Sequence, residues 1–124
     1  MEDSYEDFLK DVFARLFSLD YLAAITELES NDRLKVVDKF LIFVILIFYR
    51  KSQYWNYIQE SCEYNFPYLN PRYDHQYGYI ILHYFKKSDF KKVTVVIEEI
   101  TQTLIDCEDA ESLIKLVKFG SDFR

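Results

Sequence analysis

Histidines, carboxylates and thiols are the side chains with chemistry to offer here, and their spacing limits what they can do. His75 and His83 are the only two histidines. On one helix, eight residues set them about 12 Å apart along the axis, too far to share a metal ion directly. Each reads as a surface or boundary residue rather than a catalytic base. No serine stands in a GxSxG setting, and Gly78 and Gly120 alone cannot build a glycine-rich phosphate loop. Cys62 and Cys107 lack a CxxC arrangement and a histidine at ligand spacing, so they read as two buried thiols rather than a bridge or a metal site. Carboxylates are more numerous, in Glu98-Glu99 and in the group Asp106, Glu108, Asp109 and Glu111. Paired carboxylates can do acid–base work or bind magnesium. Exposed acidic helix faces that complement helix amino ends are far commoner, and no histidine lies near these in sequence. The expectation is a protein that is not an enzyme and that holds neither cofactor nor metal.

Charge is unevenly spread. Residues 1–32 hold nine acids and two bases, net −7; residues 33–97 are net +5; residues 98–124 are net −4. Two acidic terminal segments around a basic middle either neutralise it within the fold or converge on one surface. A converged acidic surface would attract a basic partner and raise its association rate. On this reading the electrostatic contacts are Glu6, Asp7 and Asp11 at one end of the chain and Asp106, Glu108, Asp109 and Glu111 at the other.

Tyrosine is uneven too. Nine of the 11 lie between Tyr49 and Tyr84, together with the only tryptophan, Trp55. So short a stretch cannot bury every ring with its hydroxyl paired, and rings with a polar tip are common interface anchors. With Trp55 facing inward beside Ile58 and Cys62, the exposed aromatic anchors become Tyr57, Tyr64 and Tyr68. Arg50, Lys51, Arg72, Lys86, Lys87, Lys91 and Lys92 in the same region make single-stranded nucleic acid a competing partner, against which the net charge of −6 argues.

Elements must position these residues, and one stretch dominates. Residues 36–49 read VVDKFLIFVILIFY, with no charge after Lys39. Ten such residues make a helix of about 15 Å, whereas a bilayer needs about 20 apolar residues. The stretch is therefore expected as a buried core helix over 34–49, with Leu34, Val37, Leu41, Val44, Ile45 and Phe48 on one stripe and Asp38 among the polar residues of its start. Residues 29–32, Glu-Ser-Asn-Asp, offer side-chain oxygens for its cap.

Around it, Ser4 with Asp7 suggests a capping box before a stripe through Tyr5, Leu9, Val12, Phe13 and Leu16. Asp20 caps a short helix through Leu22, Ile25 and Leu28. Residues 65–72, holding both prolines, form the clear loop. Tyr77, Ile80, Ile81, Tyr84 and Phe85 make a further stripe. Ser88 or Asp89 then caps a helix with Phe90, Val93, Val96, Ile97, Ile100, Leu104 and Ile105 on one face. The last helix carries Ala110, Leu113, Ile114 and Val117 and is expected to stop at Gly120. With only two glycines and two prolines, the chain lacks the turns of a β-sandwich. The expected fold is all-α: residues 1–124 as a single helical domain, a compact bundle or stacked hairpins of six to seven helices. An acidic N-terminus without a signal-like region points to the cytoplasm and away from membranes.

In size, acidity and tyrosine content the chain resembles bacterial immunity proteins and antitoxins. That resemblance implies a non-enzymatic module binding one basic protein partner, a toxin or nuclease domain, whose active site it covers. In wrapping amphipathic helices around an apolar one it is also similar to viral or host-interaction bundles of the apoptosis-regulator class. The Asn-Trp-Gly-Arg signature of that class is absent, Trp55-Asn56 being no replacement. Both likenesses are compositional and cover no motif.

Overall fold

The computed structural model describes residues 4–50 and 75–123. Among them there is no strand, and six helices follow in order: α1 (Tyr5–Ser18), α2 (Tyr21–Ser30), α3 (Val36–Arg50), α4 (His75–Lys87), α5 (Phe90–Asp106) and α6 (Ala110–Phe123). The fold is an all-α bundle around the apolar helix, as the composition implies.

Every side chain from Phe40 to Phe48 is buried, and Ile42, Phe43, Ile45 and Leu46 have no exposed surface at all. A helix apolar on all sides needs a coat on all sides. Among the described helices α6 is its most extensive neighbour, followed by α4 and α2, and α1 packs over α4 and α2.

Local chemistry starts and stops the surrounding helices. Ser4 Oγ accepts the Asp7 N–H at 3.1 Å, and Asp20 Oδ1 accepts that of Ala23 at 2.9 Å. Asp89, not Ser88, caps α5 by accepting the Lys91 N–H at 2.9 Å. Between α5 and α6, Asp109 N donates to Leu104 O and Glu108 N to Ile105 O, the paired bonds of a Schellman turn. Glu108 takes the left-handed conformation there, with φ 56°. Gly78 lets α1 and α4 approach closely: a Cβ at that position would stand 3.0 Å from Phe17 and 3.2 Å from Phe13.

Several expectations about faces and ends are corrected. Residues 29–32 do not cap α3; the residue before its first turn is met from α1, the Tyr5 hydroxyl accepting the Lys35 N–H at 2.9 Å. Asp38 is not on a solvent face but fully buried. α4 turns Gly78, Ile81, Leu82 and Phe85 inward and leaves Ile80 and Tyr84 exposed. Leu22 on α2 and Phe90 and Ile105 on α5 are likewise exposed, because the helices rotate to bury Ala24 and Thr103 instead. α6 buries Ser112, Leu116 and Phe119, leaving Ile114 and Val117 outside. It runs through Gly120, which sits against the Phe40 ring and stays helical, since packing on α3 outweighs a local stop signal. Trp55, Tyr57, Tyr64, Tyr68, Cys62 and the proline-containing loop lie outside the described residues. No helix among the described residues is long and apolar enough to cross a membrane.

Candidate partner-binding groove

Where the start of α3, the end of α4 and the start of α5 meet, an open groove of about 290 Å³ enters the molecule. Phe40, Leu41 and Phe85, each buried, form its floor. Val37 stands on one side, and Phe90, Val93 and Ile97 of α5 on the other. Early α3 meets late α4 here.

Phe90 is the least expected feature of the site. It is the first residue of α5, held by the Asp89 cap, and its side chain is 75% exposed. Single exposed apolar residues are ordinary; a bare phenylalanine beside an apolar hollow is not.

Lys86 borders the groove and is tied to its underside. Its ammonium lies 3.1 Å from Oδ1 of the buried Asp38, an ion pair whose angle does not make a hydrogen bond. The other carboxylate oxygen accepts the Tyr5 hydroxyl at 2.7 Å. Burial, with Asp38 adding to it, pushes the Tyr5 hydroxyl up to about 12. One corner thus joins α1, α3 and α4 and fixes the groove wall. Between residues 86 and 92 four lysines accompany one acid, Asp89, so this rim is basic.

The acidic residues singled out by charge fall in two separate places. Glu6, Asp7 and Asp11 lie on the first half of α1. The Glu6 carboxylate accepts the Tyr79 hydroxyl and lies 3.3 Å from His83 Nε2, and these contacts, the Tyr79 bond first, hold it below the usual carboxylate range. Burial and then Glu6 push Tyr79 up to about 12. Asp7 and Asp11 are exposed, and Asp11 borders a shallow hollow with Lys10, His75 and Tyr79.

The second set gathers at the turn between α5 and α6. Asp106 accepts from Gln102 at 2.8 Å, Glu108 holds the left-handed turn, and Asp109 caps α6 through the Ser112 N–H at 3.1 Å. Glu111 is exposed. Tyr21, just past the end of α1, shares a hydrogen bond with Ser112 at 3.1 Å. Burial raises the Tyr21 pKa, and Asp109 and Glu111 add to it. The two acidic sets therefore sit at opposite ends of α1, a helix about 21 Å long at 1.5 Å per residue. His75 and His83 do share α4, with His83 on Glu6 and His75 at the hollow beside Asp11. Among the described residues no three His, Cys, Asp or Glu side chains are grouped to hold a metal ion. Cys107 is a free, half-buried thiol.

The groove and the Tyr5–Asp38–Lys86 corner were not read from the sequence. A signal existed for each: an acid at the head of a run of apolar residues, and a phenylalanine placed directly after a cap and before two lysines. In comparisons with known proteins, no family model, no curated protein and no solved structure matches this chain.

Proposed function

We propose that the chain is a non-enzymatic protein-binding module whose α3–α4–α5 groove receives an apolar segment of one protein partner. The observation that carries this reading is Phe90, a ring 75% exposed beside a buried apolar floor. Covering a ring of this kind desolvates apolar surface on both molecules, and aromatic anchors that seat in pockets supply most of the affinity in protein interfaces. The plan of amphipathic helices around an apolar one supports the host-interaction class of reading, at the level of arrangement. The test places a photo-crosslinking amino acid at residue 90 and, separately, the Phe90→Glu substitution. A partner crosslinked at residue 90 and lost in Phe90→Glu supports the groove. A partner retained at full affinity by Phe90→Glu removes it.

A second reading keeps the immunity or antitoxin type, in which a basic toxin or nuclease domain meets the acidic ends. The exposed carboxylates of Asp7, Asp11, Glu108 and Glu111 support it. On that reading binding weakens as salt rises, and charge reversal at Asp7 or Glu111 slows association more than it speeds dissociation. Phe90→Glu separates the two readings, because it disables the groove and leaves both acidic sets intact.

A further inference from the structure

α6 has two apolar faces, and the protein's own core uses only one of them. Ser112, Leu116 and Phe119 are buried; on the other side Ile114 is 67% and Val117 61% exposed, one turn apart. Beside this pair stand Glu111 and Lys118, both exposed and neither in an ion pair among the described residues. Seven residues bring a helix back to nearly the same angular position, so the acid and the base occupy one flank, a turn before and a turn after Ile114.

A flank of this kind complements itself when reversed. In antiparallel helix pairs each flank meets the same flank of the other helix. Two copies of α6 related by a twofold axis near Ile114 therefore set Glu111 of each against Lys118 of the other, twice. Ile114 and Val117 from both copies fill the centre. Leu22 of α2, also exposed, stands beyond that charged flank, across a shallow hollow from Glu111 and Lys115.

We propose that this outer face of α6 is a self-association surface, occupied by a second copy of the chain in antiparallel arrangement. It shares no residue with the groove of the proposed function and does not depend on that reading. One helix face is small for an interface, so the dimer is weak, forming in the micromolar range or above.

Sedimentation equilibrium on the full chain, from micromolar to millimolar concentration, tests this. The wild type should show a monomer–dimer equilibrium, and Ile114→Ser should abolish it. Glu111→Lys and Lys118→Glu each place like charges together twice and should raise the dissociation constant by about tenfold or more. An equal mixture of those two variants should dimerise again, because one copy then carries two bases where the other carries two acids. All three positions are exposed, and an unchanged circular dichroism melt verifies folding. A wild type that stays monomeric throughout overturns the proposal. A dimer indifferent to these substitutions, or a mixture that fails to reassociate, overturns it as well. Phe90→Glu, which disables the groove, should leave the dimer unchanged.

Discussion

The Tyr5 hydroxyl donates to Asp38 Oδ2 at 2.7 Å across 33 residues of chain, and the same oxygen accepts the Lys35 N–H at 2.9 Å. One phenol thereby serves a buried carboxylate and the residue that leads into the core helix. Tyr5→Phe removes the hydrogen bond to Asp38 Oδ2 and the acceptor of the Lys35 N–H, and should cost about 1–3 kcal/mol in denaturant unfolding. Lys86→Met strips the cation from a buried acid, a change worth about 3–5 kcal/mol in closed sites and less here because Lys86 is one-third exposed. Asp38→Asn in the Lys86→Met background should recover part of that loss.

Stability should fall on both sides of neutrality through different groups. The folded values of Tyr5 and Tyr79, about 12 against an ordinary 10, mean that the folded state keeps these protons longer. Their contribution is complete below pH 10 and fades as pH rises toward 12. Glu6 works the other way: its depressed pKa gives a contribution present above the ordinary carboxylate range and lost as pH falls through the folded value. Thermal melts across pH should show a flatter acid limb in Glu6→Gln and a flatter alkaline limb in Tyr5→Phe.

Glu108 is a non-glycine residue in the left-handed region at the centre of a Schellman turn. Glycine removes that conformational penalty, and Glu108→Gly should stabilise the protein by about 1 kcal/mol. Glu108→Val should destabilise it, since a β-branched side chain tolerates positive φ worst. Paired melting curves of the two variants check the sign of each.

Gly78 stands where a Cβ meets Phe17 at 3.0 Å and Phe13 at 3.2 Å. Phe17 is only partly buried, whereas Phe13 is fully buried and hemmed in. Gly78→Ala gains about 1 kcal/mol of helix propensity and should still melt below the wild type, because α1 must move outward. Gly78→Leu should prevent folding. Ile45→Asp should do the same, an unpaired buried carboxylate costing several kcal/mol against a total of about 5–15.

Much of the fold could be read in advance where local signals agreed. α1 has a cap at Ser4, acids in its first turn and one apolar stripe; α3 is apolar on every side from Phe40 to Phe48, so the orientation of that part needed no choosing. α6 was legible as a helix and misread as to face. Leu113, Ile114 and Val117 describe one stripe, Leu116 and Phe119 another, and only contact with α3 decides between them. Asp38 was misread for a similar reason, since its partners come from α1 and α4 and no local pattern announces them. The groove belongs to three helices at once, and periodicity reports on one helix at a time.

The burial of α3 also sets a timetable for synthesis. Its buried apolar side chains run to Phe48, yet its most extensive neighbour among the described helices, α6, ends at Phe123. At about 5–20 residues per second a ribosome needs roughly 4–15 s to cross that gap. During those seconds α4 and α5 emerge in turn, but the described helix that covers α3 most extensively is still missing. A nascent chain arrested before α6 should therefore be bound by general chaperones that release it once the last helix emerges.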